Sequence, residues 1–364
     1  MKPYQVHLFT EEESVPDMLP YEPFFVYDNK RYLNFVPLDC FHMKNSEYLR
    51  ETARANIESR GIRATDGRLE AMKNLEEAMF ELKKFESLLL FPDEISALFA
   101  LLSIFNPETT YFIDYETSPS ILALLQRRSV GFYNHHDLGN LNNLLDVQSA
   151  KVIVVDGVFE WIGNIGPINE VVKAAKNNDC IIIANEINSF GFLGRDGRGF
   201  VDLFNVYGDI SVEVGSFDKF LGGFGCYVGG KREFIDSIKK NIIDVGEPLP
   251  PFMLAVNRAS LELIGPNKDN KKRLQELWRN SRYVISRLKQ AGFKTMSETP
   301  ICVITFNNNE EAGEFRKRLL SHQIIVAQNK ERIRLCLSIE HSKADLDYCL
   351  ATLEMVGQDL GIRS

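Results

Sequence analysis

Four groups of residues have types and spacing that could do chemistry. Lys219, in GSFDKFLGGFG, follows the run ISVEVGS (210–216) and precedes a glycine-rich turn. A lysine amine can form a Schiff base with a carbonyl, although a surface position is the commonest fate of this residue. Arg334, in RIRLCLS (332–338), presents a planar guanidinium suited to a carboxylate. It reads equally well as a strand arginine paired with a nearby acid. Asp93 and Glu94 precede an apolar helical period at 94–104, where acids complement the helix dipole. His135 and His136 are adjacent, and consecutive strand residues face opposite sides, which argues against a shared metal site.

These residues must be positioned by an alternation of short β-branched or aromatic runs with longer helical periods. The spacing predicts strands at 87–91, 110–115, 130–135, 151–157, 180–186, 210–216 and 226–230. Helical periods lie between them at 94–104, 119–127, 138–146, 167–177 and 199–206. That order is the signature of an α/β fold with a mainly parallel central sheet covered by helices. Beyond Lys231 come helical stretches at 232–241, 252–264 and 268–290, broken by EPLPP (247–251). A smaller α+β unit follows, with strands at 301–306, 324–328 and 332–338, a helix near 310–321 and another from Ser342. RYLNFV and an amphipathic helix at 45–59 precede the large domain. The expected division is an N-terminal segment 1–60 packing with the small domain, a large α/β domain 61–245, and 246–364 carrying interdomain helices and the small domain.

Composition narrows the function classes. The 364 residues carry 42 Lys plus Arg against 50 Asp plus Glu, a net charge of −8, with 45% hydrophobic and 11% aromatic content. Such a chain can bury a sizeable core, and without a basic run it offers no footprint for nucleic acid or an anionic membrane. The apolar run at 95–105 is short of the ~20 residues that a spanning helix needs. MKPYQVHLFTEEESVPDM shows neither a secretory h-region nor an Arg-rich transit pattern, so a cytoplasmic location is expected. Six cysteines without a CxxC pair read as reduced core residues.

Six ordered stretches carry a resemblance: LLLFP (88–92), DGVFEWIGNIGPINEVV (156–172), ANEINSFGFLGRDGRGF (184–200), GSFDKFLGGFGCYVGG (215–230), EPLPP (247–251) and RIRLCLSIEHSKADLD (332–347). Together the chain resembles the α-oxoamine synthases of the fold-type-I pyridoxal phosphate (PLP) enzymes, whose members include 8-amino-7-oxononanoate synthase, 2-amino-3-ketobutyrate CoA ligase and serine palmitoyltransferase. The resemblance implies a PLP-transferase-like fold, a homodimer, PLP as cofactor, and condensation of an acyl thioester with an amino acid with loss of CO2. It implies Lys219 at the Schiff-base position and Arg334 as the group that binds the amino-acid carboxylate.

At other positions that the resemblance assigns to PLP, the residue type differs. The ring-nitrogen Asp is Asn185, and the His after it is Asn188. The His that stacks on the ring is Ser118, and a Ser beside a cofactor oxygen is Glu160. On the phosphate side, Asp93, Glu94, Asp218 and Glu247 replace small or hydroxyl residues, while Ser216 keeps its hydroxyl. Unit charges ~4 Å apart repel by about 4 kcal/mol at an effective dielectric near ~20, so these acids oppose a phosphate. A salt bridge from Lys219 to Asp218 or Glu247 is one expectation, and a cation site built from the four acids is another.

The leading expectation is a diverged family member with PLP chemistry lost or weakened, acting as a noncatalytic binding, scaffold or regulatory subunit. A heterodimer with an intact paralogue belongs to that reading. The alternative is a working PLP-dependent acyltransferase acting on an amino acid and an acyl thioester.

Overall fold

The computed structural model describes residues 22–61, 67–146, 150–241 and 248–362. Its strands, in chain order, begin with β1 (Phe24–Tyr27) and β2 (Lys30–Asn34). β3 (Ser87–Phe91), β4 (Thr110–Asp114), β5 (Ser129–Tyr133), β6 (Lys151–Asp156), β7 (Ile181–Asn185), β8 (Val212–Ser216) and β9 (Cys226–Gly230) follow. The last four are β10 (Ile301–Thr305), β11 (Ile324–Ile325), β12 (Ala327–Asn329) and β13 (Arg332–Cys336). Three helices matter for the site: α1 (Glu47–Arg60), α2 (Arg68–Lys83) and α3 (Glu94–Ser103).

The chain divides into two compact units. The smaller comprises the residues up to Asn45, Glu160–Asn164 and Lys272 onward; the larger comprises Ser46–Phe159 and Ile165–Lys271. The sequence reading set α1 in an N-terminal segment packing with the small domain and the helix Pro251–Ile264 among interdomain helices; both lie in the larger unit. They pack on each other there, with the Tyr48 hydroxyl donating to Glu262 at 2.5 Å.

In the larger unit the seven central runs form one sheet in the order β3-β9-β8-β7-β6-β4-β5. β8, β7, β6, β4 and β5 are mutually parallel, while β9 is antiparallel to both β3 and β8. Six strands therefore point one way and end at a common edge, at Phe91, Asp114, Tyr133, Asp156, Asn185 and Ser216. Sequence explains the burial. KVIVVD and IIIAN are continuous β-branched runs, as expected of strands covered on both faces, and all but their first residues are buried.

One buried ionic network ties a helix end to this sheet. Lys83, at the end of α2, has no exposed side-chain surface, and its ammonium lies 3.1 Å from Glu186 and 2.7 Å from Glu213. It also donates to the Arg198 carbonyl at 2.8 Å. The Glu186 carboxylate accepts from the backbone N–H groups of Phe200 and Val201 at 2.8 and 2.9 Å, and from the Ser189 hydroxyl. Burial opposes the Lys83 charge, but the two carboxylates outweigh it and hold the amine above its ordinary value. Burial pushes Glu213 up to about 7.

The smaller unit holds two three-stranded sheets, β1-β2-β11 and β10-β13-β12. β1 and β2 join through Asp28 and Asn29, both left-handed at φ 48° and 56°. That pair of positive φ values is what a tight two-residue hairpin turn demands. Phe35, Phe315, Leu335 and Leu353 lie in its core. Cys40, Cys226, Cys302, Cys336 and Cys349 are buried free thiols, and Cys180 is half-buried. No described helix is long and apolar enough to cross a membrane.

Lys83→Met leaves two carboxylates in the core without their counter-charge, and breaking a buried pair this way costs about 3–5 kcal/mol. Urea unfolding of the variant is expected to show that loss; an unchanged midpoint would remove the network from the account of stability.

Candidate functional site

In open α/β sheets ligands sit outside the carboxyl ends of the strands, and here that edge is polar. Asp156, at the end of β6, is buried, and its carboxyl accepts from Asn185 Nδ2 at 2.6 Å and from the Thr117 hydroxyl at 2.5 Å. Asn185 Oδ1 in turn accepts from the Ile187 backbone at 3.3 Å. Burial, reinforced by Asp114 and Glu94, pushes Asp156 up to about 7 against the two hydrogen bonds that favour its charge. Position 185 is neutral, as the sequence indicates, yet a carboxyl group stands directly behind its amide. Sequence reasoning passed over Asp156 and Thr117. The signal was available, since Asp156 closes the strand run KVIVVD beside the run that ends in Asn185.

Asp114, at the end of β4, accepts from His135 Nδ1 at 3.0 Å and from the backbone N–H groups of Glu116 and His136 at 2.9 and 3.2 Å. The two histidines do not face opposite sides. The chain leaves β5 at Tyr133, His136 turns left-handed at φ 58°, and the rings lie 4.3 Å apart. Ser118 caps the short helix Pro119–Leu124, accepting from Ile121 N at 3.4 Å. Asn188 is 4% exposed, and its side-chain oxygen has no partner among the described residues.

Lys219 sits half-buried in the turn after β8. That turn is closed by Phe217 N to Gly225 O at 2.9 Å and Gly223 N to Phe217 O at 2.8 Å. The buried Asn257 clamps it from below, accepting from Phe224 N at 2.7 Å and donating to Phe224 O at 2.9 Å. Among the described residues no ion pair forms at Lys219. The expected salt bridge to Asp218 is absent because that carboxylate accepts the Ser216 hydroxyl instead, a contact two residues away in the same turn. Glu247 lies outside the described residues.

Two of the acids on the phosphate side, Asp93 and Asp218, are already engaged. Asp93 is the N-cap of α3, accepting from Ser96 N at 2.8 Å and from the Ser96 hydroxyl at 2.9 Å. This is the helix-terminal chemistry that its sequence position suggested. No group of three His, Cys, Asp or Glu among the described residues is placed to hold a metal, so the four-acid cation reading gains nothing. The Lys219 amine, the unpartnered Asn188 oxygen and the Asn185–Asp156 pair fit the ring and carbonyl of an aromatic aldehyde. Asp93, Glu94 and Asp218 do not fit the phosphate of PLP.

In the smaller unit, Arg334 is buried in β13 and pairs through Nη1 with Glu160. Its Nη2 donates to the Val36 carbonyl at 2.9 Å, and the guanidinium lies 4.8 Å from the Trp161 ring centre. Of the two readings open for Arg334, the ion pair is the one formed. The segment Glu160–Asn164 is pinned by the Gly163 carbonyl, which accepts from Glu298 N at 3.0 Å and from the Thr299 hydroxyl at 2.8 Å. Gly163 adopts φ 83°, and a Cβ there would stand 2.1 Å from the Ile301 carbonyl oxygen, which explains the glycine.

Two outcomes follow from this geometry. Asp156 and Glu213 both bind protons more tightly folded than unfolded, so stability is full below about pH 4 for these groups and falls as pH rises through about 7. Asp156→Asn is expected to flatten that fall by up to about 1.4 kcal/mol per pH unit, the slope of one proton; unchanged unfolding curves across pH would refute the titration. Glu160→Ser should release Arg334, tightening the binding of a simple carboxylate such as acetate at least about tenfold by calorimetry, equivalent to about 1.4 kcal/mol. Equal affinity in both proteins would show that Arg334 does not receive a carboxylate.

The comparisons with known proteins agree with this geometry at the level of family. The Aminotransferase class I and II model matches residues 40–353. An 8-amino-7-oxononanoate synthase of Thermosipho melanesiensis is 30% identical over 365 residues, covering 94% of this chain and 93% of its own. One from Thermoanaerobacter pseudethanolicus is also 30% identical, covering 94% and 92%. Among solved structures, a serine palmitoyltransferase from S. paucimobilis with bound PLP-myriocin aldimine superposes with a TM-score of 0.84 at 20% identity, covering 93% of this chain and 90% of that one. The 8-amino-7-oxononanoate synthase of Francisella tularensis gives 0.79 at 20% identity, covering 91% and 98%. The fold-type-I α/β architecture and the full-length relatives together place the chain in the aminotransferase class I and II family, among the α-oxoamine synthases.

Proposed function

We propose that the chain is an acyltransferase of the kind its relatives are named for, holding an aldehyde cofactor at Lys219 and joining an acyl thioester to an amino acid with loss of CO2. The observation that carries this reading is the Lys219 amine, half-buried, unpaired among the described residues and fixed by the Asn257-clamped turn at the ligand edge of the sheet. The named relatives support acyl transfer, and PLP is the cofactor that this support implies. An aromatic aldehyde bound there supplies an electron sink. The chain's own part is to present the amine, set the Asn185 amide with the Asp156 carboxyl behind it, and hold Arg334 closed on Glu160 until a carboxylate competes. A cytoplasmic homodimer belongs to the same reading.

A second reading is favoured by Asn185 and by the engaged carboxylates of Asp93 and Asp218. In it the chain is a noncatalytic binding, scaffold or regulatory subunit, alone or with an intact paralogue.

Titration of the purified protein with pyridoxal and with PLP, followed by visible absorbance, separates the two. A saturable band with at least one aldehyde, lost in Lys219→Ala, is expected. No band with either would sink the first reading and leave the noncatalytic one.

A further inference from the structure

We infer that this chain excludes the phosphate group and takes at Lys219 an aromatic aldehyde that carries none, with its own carboxylates standing where phosphate donors would be needed. The inference rests on the reading of Lys219 above and names the ligand class of that same site.

The register of the sheet puts the relevant residues together. Phe91 of β3 pairs with Cys226 of β9, and Cys226 pairs with Ser216 of β8. From the two outer positions of this row the chain runs directly into Asp93 and Glu94 on one side and into Asp218 and Lys219 on the other. The Cys226 thiol between them is raised chiefly by burial, and it also feels Asp218 and Glu94, so the two acids share its surroundings with the Lys219 charge. Gly225, at φ 72°, keeps the row tight, because a Cβ there would stand 2.3 Å from the Phe91 carbonyl oxygen.

Three donors that could hold an anion in this corner are occupied from within. A helix N-terminus receives anions through free N–H groups of its first turn. In α3 the Asp93 carboxylate already takes the Ser96 N–H and the Ser96 hydroxyl. The Ser216 hydroxyl is given to Asp218, whose own N–H returns to Ser216 Oγ at 3.1 Å. Asp218 and Glu94 thus share this corner with one ammonium, Lys219, and Asp93 adds a third carboxylate at the cap of the adjoining helix. A phosphate dianion would add two negative charges to that excess and would find those three donors taken. An uncharged hydroxymethyl group in the same place meets no such repulsion and can donate to a carboxylate.

The covalent step remains available without phosphate. After Lys219 gives its extra proton to solvent, the neutral amine attacks the aldehyde carbon, the C=N bond forms from the nitrogen lone pair, and the carbonyl oxygen leaves as water with the two amine protons. No oxidant or further reactant is involved.

The test compares pyridoxal with PLP by visible absorbance in the wild type and in Asp93→Ser/Asp218→Ser, with Lys219→Ala as control. Serine at 93 is itself a good helix cap, which preserves α3. The expected result is that the wild type binds pyridoxal at least tenfold more tightly than PLP and that the double variant reduces this ratio at least tenfold. Equal or tighter PLP binding by the wild type, or an unchanged ratio in the variant, would overturn the inference while the role of Lys219 stands. Absence of a band with either aldehyde in both proteins means that the Lys219 reading itself has failed. Exclusion is then judged by calorimetric titration with inorganic phosphate. Binding to the variant alone upholds it, and binding to the wild type or to neither protein overturns it.

Discussion

The ligand edge of the larger unit depends on an ammonium that never meets solvent. Lys83 is shared by Glu186 and Glu213, and each of these acids is a near neighbour of a residue at that edge. Glu186 follows Asn185 directly, and Glu213 precedes Ser216 by three residues on the same strand. The Glu186 carboxylate also fixes the backbone of Phe200 and Val201. Two buried acids and one buried base are tolerable only because every charge has a partner and Glu213 holds a proton readily. A network of this kind adds little net stability by comparison with apolar packing. What it does is fix where the ends of β7 and β8 stop, and therefore where Asn185 and Ser216 stand.

The edge so positioned is electrically lopsided. Asp93, Glu94, Asp114, Asp156 and Asp218 lie at or just beyond the ends of β3, β4, β6 and β8, with Lys219 as the cation of the turn and His135 bound to Asp114. Different devices make four of these acids bearable. Asp93 caps a helix, Asp218 takes a hydroxyl in its own turn, Asp114 collects two backbone N–H groups and an imidazole, and Asp156 is pushed towards its neutral form. None of these arrangements spends the Lys219 amine, which is why it stays available for a carbonyl.

Most of the fold was legible because the central strands are buried on both faces and so appear as unbroken β-branched runs bounded by polar ends. The central strand bounds differ by one or two residues where they differ at all, as in β5 (Ser129–Tyr133) and β8 (Val212–Ser216), while the run 324–328 divides into β11 and β12. Tertiary grouping was less legible. α1 looks like an N-terminal appendage in sequence, but its partner is the helix Pro251–Ile264, some two hundred positions away, and no local pattern announces that. The site divided the same way. Lys219 and Arg334 were legible by position, whereas the partner of each acid was not, since short-range turn geometry, as in Ser216 with Asp218, outcompetes a long flexible lysine that must lose rotamer freedom to pair. The facing of His135 and His136 was misjudged because strand alternation was carried two and three residues past the end of β5 at Tyr133.

Asn185 and Asp156 have to be considered as one unit. An isolated asparagine at the end of β7 would give a ring nitrogen only a neutral partner. With the Asp156 carboxyl 2.6 Å from its Nδ2, and the Thr117 hydroxyl on the other carboxyl oxygen, the amide is oriented and polarised by a group that can gain or lose a proton near neutrality. The negative charge is then set one strand back and made conditional on pH, instead of being fixed at the contact. A site built this way stabilises a cationic ring less strongly than a direct carboxylate does, because the charge acts through a hydrogen bond and is partly neutralised by its own proton. Together with the closed Arg334–Glu160 pair of the smaller unit, this leaves Asn185, Arg334, Asp93 and Asp218 each with an internal partner. A ligand group that meets one of these residues therefore has to displace the internal partner or make a contact that leaves it in place.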